Sequence, residues 1–450
     1  MQVVKTAKRE EFTMTECSTQ LPLFPTCKSR EIQIDFDGGD ITSDGGGLLI
    51  RQADRKIELT KQLASLLNDS RRQKSCDHLQ LHMLRQRIYG LALGYEDLND
   101  HGTLREDPAF QTFVDRDRML AHPSTLCRFE NRADREAAVL MNMLMVDQFI
   151  TSYKKPPEEV ILDFDTTDDP VHGEQVGRFF HGFYDHYCFL PLYVFCGSQL
   201  LVAYLRSSKI DAAKHAWAIL ALLVKRLRQK WPHVRIIFRG DSGFCRWRML
   251  RWCDSHNVGY IIGLAKNSRV NELAQPYIEK AAREHERTGV KQRLFTSVRY
   301  GALTWDRERR VIVKAEHNEQ GSNPRYVVTN LKGHAQYLYD EIYCDRGDME
   351  NRIKEQQLDL FSDRTSCHNW WPNQFRLLLS GLAYCLVEAI RRLALRGTEL
   401  AKAQCGTIRL KLFKIGAAVL RNTRRIRFHF STAYPYKQLF MLAAQRLAPG

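Results

Sequence analysis

A chain of 450 residues with 44% hydrophobic content can bury a sizeable core, which excludes a disordered protein and predicts two to four domains. Lys and Arg number 67 against 52 Asp and Glu, and the formal charge of +15 favours a polyanionic partner, nucleic acid before a membrane surface. Twelve cysteines without a C-x-x-C pair argue against a zinc ribbon or disulfide framework and for a reducing cytoplasm, and Lys5, Lys8, Arg9 and Glu10 stand where an export signal would be apolar.

Residues 1–30 are polar and irregular and read as a flexible arm. From Glu31 the alternation Ile32, Ile34, Phe36 before Gly38-Gly39, then Ser43-Asp44-Gly45-Gly46-Gly47 before Leu48-Leu49-Ile50, predicts a short β unit. Helical periodicity follows from about Ile57 to Leu91 and resumes after Pro123 with Ser124 as N-cap, so 31–155 is expected to be mainly helical. Its many arginines suit solvated helix faces as well as contact with DNA.

From Val160 the order changes. A strand runs to Asp165, further strands lie near Cys188–Phe195 and Leu200–Leu205, and a helix spans about Asp211 to Gln229. Val234 to Phe238 forms another strand ending in Arg239-Gly240-Asp241, followed by a helix near Arg246–Ser255 and a strand Gly259–Leu264. Three strands in a meander followed by helix-separated parallel strands make an α/β, ribonuclease H-like mixed sheet flanked by helices, expected in two parts, 156–269 and 336–400. Between them, 270–335 reads as a β-rich insertion subdomain with strands at Arg293–Val298, Arg310–Val313 and Tyr326–Val328. The uncharged run Tyr187 to Leu205 is broken by Pro191 and Gly197-Ser198-Gln199, so it reads as two buried strands and no membrane span. A helix carrying Glu350, a long apolar helix from Pro372 to about Leu395, and a basic segment 401–450 complete the chain; there Thr407 to Lys414 alternates basic and apolar residues.

Asp163 and Asp165 lie two apart on one strand and so share a face, and Asp241 sits just past another strand. Strand ends that meet in a crevice would let such carboxylates hold Mg²⁺, which favours hard oxygen ligands. Glu350 is the candidate third acid for a two-ion site; Tyr343, Arg346, Glu350 and Lys354 share a stripe if the whole segment is helical, with Gly347 and Asp348 the alternative helix start. The residues alone leave bland readings beside these: Asp168-Asp169-Pro170 as a turn, Asp241 as a turn former, and Glu350 as a solvent-facing charge. Asp163 is either a strand-end hydrogen-bond acceptor or a support behind the site, and His172 either a hydrogen-bonded structural histidine or a support that contacts a metal-bound water or substrate. Arg346 is either a phosphate clamp or a surface ion pair, and Tyr343 either a site residue or core packing.

With these residues assembled, the chain resembles the DDE transposases of bacterial insertion sequences, the group described as transposase DDE domain group one. The resemblance rests on Phe36-Asp-Gly-Gly, Ser43-Asp-Gly-Gly-Gly-Leu-Leu, Arg85-Gln-Arg-Ile-Tyr-Gly-Leu-Ala-Leu-Gly-Tyr-Glu-Asp-Leu-Asn-Asp100, Thr125-Leu-Cys-Arg-Phe-Glu-Asn-Arg132 and Arg325-Tyr-Val-Val-Thr-Asn-Leu331, and spans nearly the whole chain. It implies catalytic, metal-holding carboxylates at Asp165 (Asp-x-Thr), Asp241 (Arg-Gly-Asp-Ser-Gly-Phe) and Glu350 (Tyr-x-x-Arg-x-x-x-Glu), with two Mg²⁺ ions for which Mn²⁺ substitutes. Tyr343 and Arg346 then handle terminal phosphates or the base beside the cut. Where the family pattern expects a lysine, Gln357 stands, and Lys354 is the substitute charge. The implied function is cut-and-paste transposition: binding the terminal inverted repeats of the element, metal-dependent cleavage, and strand transfer into target DNA. The implied setting is the nucleoid in bacterial cytoplasm, with a homodimer to pair two ends. End recognition is expected in the N-terminal region. The alternatives are a nuclease of the same fold that cuts without joining, and a catalytically silent DNA-binding repressor of element ends.

Overall fold

The computed structural model describes residues 24–449, so most of the arm expected over 1–30 lies outside the described residues. The β unit expected after Glu31 does not form. Ile32, Ile34 and Phe36 are exposed on irregular chain, and only the two-residue strand β1 (Ile41–Thr42) is regular. Alternation alone is insufficient there, because no neighbouring strand among the described residues pairs with 31–40 to bury one face. Gly45–Gly47 is a tight helical turn leading into the helix Leu48–Ile57, and a Cβ on Gly46 would lie 1.8 Å from the Leu412 carbonyl oxygen. Glycine is thus required by the C-terminal segment packed against it.

The helical N-terminal region is present, with one boundary corrected: His122, not Ser124, caps the helix Pro123–Glu130, its ring accepting from the Ser124 amide. Several of its arginines point inward. On the buried helix Gln80–Leu93, Arg87 pairs with Glu130 at 2.7 Å and Arg85 with Asp115 at 2.6 Å, while Arg116, also buried, reaches Asp77 at 2.9 Å.

Most of the strands expected from Val160 join one central sheet, and the residues around Cys188 join a second, smaller one. β2 (Glu159–Thr166) leads into a small antiparallel sheet of β3 (Asp169–Pro170), β4 (Phe179–His181) and β5 (His186–Phe189), ordered β3-β5-β4. The single strand expected near Cys188–Phe195 is therefore two, divided at Leu190-Pro191. β6 (Leu192–Cys196) and β7 (Gln199–Tyr204) form the buried hairpin read from the uncharged run. Among the described residues, no helix is long and apolar enough to cross a membrane. β8 (Arg235–Gly240) and β9 (Gly259–Leu264) follow after the helices Ala216–Lys230 and Trp247–Ser255. β2 pairs antiparallel with β6 and parallel with β8, and β9 runs parallel to β8.

The segment 270–335 departs from its reading in two ways. It opens with a 21-residue helix, Ser268–Thr288, capped by Asn267 and ended at Gly289 with φ +67°. Val270, Ala274 and Ala281 recur on its buried side, a helical pattern despite Pro276. Its strands β10 (Gln292–Tyr300), β11 (Arg309–Asn318), β12 (Gly321–Ser322) and β13 (Arg325–Thr329) then extend the central sheet through β13 against β9, instead of forming a sheet of their own. Val311, Val313 and Val328 pack in the same core as Phe164 and Phe238.

The long helix Trp370–Ala394 is buried along most of its length and shares a second core with the N-terminal helices and the C-terminal segment. Residues 405–413 are helical turns, and β14 (Ala417–Arg421) pairs with both β15 (Ile426–Phe430) and β1.

Candidate active site

Because side chains alternate along a strand, Leu162 and Phe164 of β2 and Ile236 and Phe238 of β8 join one core, while Ile161 and Ile237 pack on the other face against Leu338, Tyr339 and Ile342. Asp163, Asp165 and Arg239 belong to that second face by the same parity, and Asp241 follows directly after β8. The chain covering this face, 335–359, is helical throughout, changing between tighter and wider turns; of the expected stripe Tyr343, Arg346, Glu350 and Lys354, Arg346 and Glu350 bond to each other one turn apart and Lys354 is exposed.

Two clusters result. Asp163 and Arg239 are register partners on parallel strands, 2% and 3% exposed. The guanidinium grips both Asp163 oxygens, with Nη2 to Oδ2 at 2.7 Å, and also donates to the Ile342 carbonyl and, at 3.2 Å, to Asp345 Oδ2. Burial works against the charge of Arg239, but Asp163 and Asp345 outweigh it and raise its pKa. The group therefore ties the helical cover to two strands of the sheet. Sequence reading missed Arg239; its signal was the repeated spacing, Asp163 two residues before Asp165 and Arg239 two residues before Asp241.

One strand position pair further on, Arg346 Nη1 donates to Asp165 Oδ2 and Nη2 to Glu350 Oε1, each at 2.8 Å. Asp241 turns back on its own loop, Oδ1 accepting from the Gly243 amide at 2.9 Å. Gly263 at the end of β9 lets the parts close up: a Cβ there would sit 2.7 Å from Tyr343 Oη and 2.8 Å from the Ser242 amide. Burial, with the charges of Asp241 and Glu350, pushes the Asp165 carboxyl up to about 6 against the pull of Arg346. Arg346 itself is raised, since Asp165, Tyr343, Glu350 and Asp241 outweigh its burial.

The remaining candidates lie as follows. Lys354 is exposed and makes no ion pair among the described residues, and His172 is exposed with no side-chain hydrogen bond among them. Asp168 accepts from His186 at 2.8 Å, and Asp169 is fully buried with its carboxyl pushed well up by burial. Gln357 accounts for its own identity: Nε2 donates to the Asp168 carbonyl at 2.8 Å and to Asp169 Oδ1 at 3.2 Å, bracing the loop that follows Asp165.

Among the described residues no group of three His, Cys, Asp or Glu side chains is disposed to hold a metal ion, so Asp165, Asp241 and Glu350 converge electrostatically without forming a finished ligand cage. The donor chemistry nevertheless suits a hard divalent cation: oxygen ligands only, three carboxylates against the single guanidinium of Arg346.

Residues 24–449 match the family model described as Transposase DDE domain group 1. No curated protein matches the chain. Among solved structures, the cryo-EM structure of a piggyBac transposase synaptic complex with hairpin DNA aligns at a TM-score of 0.42 and 10% identity, covering 90% of this chain and 82% of that one.

Proposed function

Taking as premise that this chain belongs to the transposase DDE domain group 1 family, we propose that it cuts phosphodiester bonds at the ends of its own mobile element and joins the freed 3′-hydroxyls to target DNA. The observation that carries this reading is the excess of carboxylate over guanidinium at the ends of β2 and β8, with Asp165 raised by burial and then by the charges of Asp241 and Glu350. The order β7-β6-β2-β8-β9, an antiparallel meander continued by two parallel strands, supports a ribonuclease H-like core for it.

Asp165, Asp241 and Glu350 would hold divalent cations, Mg²⁺ with Mn²⁺ as substitute. Bound there, such a pair supplies activation of the attacking oxygen and neutralisation of the leaving one. Arg346 bridges the largely buried Asp165 and the half-exposed Glu350 and presents a planar donor to phosphate, while Tyr343 sets the wall against the Ser242 turn. Arg239 and Asp163 keep helix and strands in register. Both cutting and joining are phosphoryl transfers, so one site serves both without a covalent protein–DNA intermediate. Binding of double-stranded ends, pairing of two ends by a homodimer, and a bacterial nucleoid setting belong to the same proposal.

Purified protein incubated with Mg²⁺ and a plasmid carrying the gene with its flanking DNA is expected to yield joined products, and Asp241→Asn none. Cut but unjoined DNA would reduce the protein to a nuclease, and binding without cutting would overturn the catalytic reading.

A further inference from the structure

The hairpin of β4 and β5 carries a cluster of aromatic side chains that the fold does not use for its core. Phe180 is 53% exposed, Tyr187 47% and Phe183, at the tip, 83%. Their rings are ordered against one another: Phe180 meets Tyr187 edge-on at 5.7 Å, and Phe183 meets Tyr184 at 5.0 Å. Two cations lie over this surface, the Arg178 guanidinium 4.5 Å from the Tyr187 ring centre and the Lys209 ammonium 5.1 Å from that of Phe179. Neither makes an ion pair among the described residues, and between Gln175 and Leu190 the sequence has one acid, Asp185.

The base of the hairpin is fixed. The Val176 amide donates to the His368 carbonyl at 2.9 Å, Phe189 packs edge-on against Trp370 at 5.4 Å, and a Cβ on Gly177 would meet the Trp370 ring at 2.7 Å. On its inner side, His186 holds Asp168 at 2.8 Å, and Tyr184 lies within electrostatic range of Asp168, Asp165 and Asp241. A rigid, wet aromatic surface interleaved with unpaired cations thus borders the carboxylates.

We infer that this hairpin is a stacking platform for unpaired nucleotides next to the cut, with Phe183 and Phe180 taking base faces and Arg178 and Lys209 the adjoining phosphates. An aromatic ring stacks on any base, and cations beside it follow the backbone, which is the combination found where proteins hold single strands. Inside a duplex both faces of a base are covered by the neighbouring pairs, so the occupant is a strand end whose bases are released from the stack. The inference rests on the DNA-joining reading for its ligand, and its test does not require joining.

Full-length protein in EDTA is titrated by fluorescence anisotropy with a blunt duplex and with the same duplex bearing an unpaired six-thymidine 3′ tail. The wild type is expected to prefer the tailed DNA. Phe183→Ala and Phe180→Ala are each expected to weaken tail binding by about 5- to 150-fold and leave blunt-duplex affinity unchanged; Phe183→Trp is expected to restore it. Equal binding of tailed and blunt DNA by the wild type, or an undiminished tail preference in both alanine variants, would overturn the assignment. So would a change of mass in sedimentation with unchanged tail affinity, which would make the face a contact between copies. A protein that never joins DNA but binds tails through Phe183 leaves the platform standing, whereas a joining enzyme indifferent to Phe183 sinks it alone.

Discussion

Two carboxylate–arginine clusters lie two residues apart on one face of β2, and they differ in what surrounds them. Asp163 and Arg239 are closed off from water and matched nearly one to one, since Asp345 beside them is largely solvated. Asp165 and Arg346 keep 14% and 19% of their side chains exposed and share their space with Glu350 and Asp241, three negative charges to one positive. A balanced buried pair fixes geometry; an unbalanced one at the rim is left with a demand for positive charge. The same strand thus serves as a clamp at one position and as a candidate reaction centre at the next.

Opening the clamp is expected to have the largest effect. Arg239→Met leaves Asp163 buried without a partner and is expected to destabilise the protein by about 3–5 kcal/mol in urea unfolding; a cost below 1 kcal/mol would mean that the pair does not hold the helical cover. Asp165→Asn should act in the opposite direction. The folded carboxyl, near 6, lies above its ordinary value of 3.8, so its contribution to stability is complete below about pH 4 and lost as pH rises through 6. The variant should therefore match the wild type near pH 4 and exceed it by about 3 kcal/mol above pH 7, while abolishing DNA joining. Equal stability profiles at both pH values would show that Asp165 carries no excess of negative charge.

Smaller changes probe the rim. Gln357→Leu removes donors from the Asp168 carbonyl and the Asp169 carboxyl and is expected to cost about 1–3 kcal/mol, read as a lowered urea midpoint. Lys354→Ala should change stability by less than about 0.5 kcal/mol, and in a salt titration of DNA binding it should flatten the slope if that exposed charge meets a phosphate. An unaltered slope assigns Lys354 to solvent.

Much of this was legible in the residues. The apolar half of β2, the strand ending in Arg239-Gly240-Asp241 and the helix bearing Glu350 all announce themselves by periodicity and turn chemistry, and their order places the acids at strand ends. What periodicity does not carry is partnership. Ile32, Ile34 and Phe36 alternate like a strand with nothing to pair against, and β10, β11 and β13 read as a separate unit because pairing of β13 with β9 is a long-range choice. The helix Ser268–Thr288 was hidden by its high charge and by Pro276, although Asn267 and Gly289 mark both ends. Arg346 as the bridge between Asp165 and Glu350 follows only once the helix is laid across the sheet.

The pairing of β1 with β14 has a consequence for how the molecule is made. Residues near the start of the described chain find their strand partner, and Gly46 its packing surface, only in a segment synthesised long after them. Contacts that distant slow folding and cannot form early during synthesis. Copies cut short by a stop codon or frameshift before residue 417 would lack that partner and leave the N-terminal helices with an unfinished core.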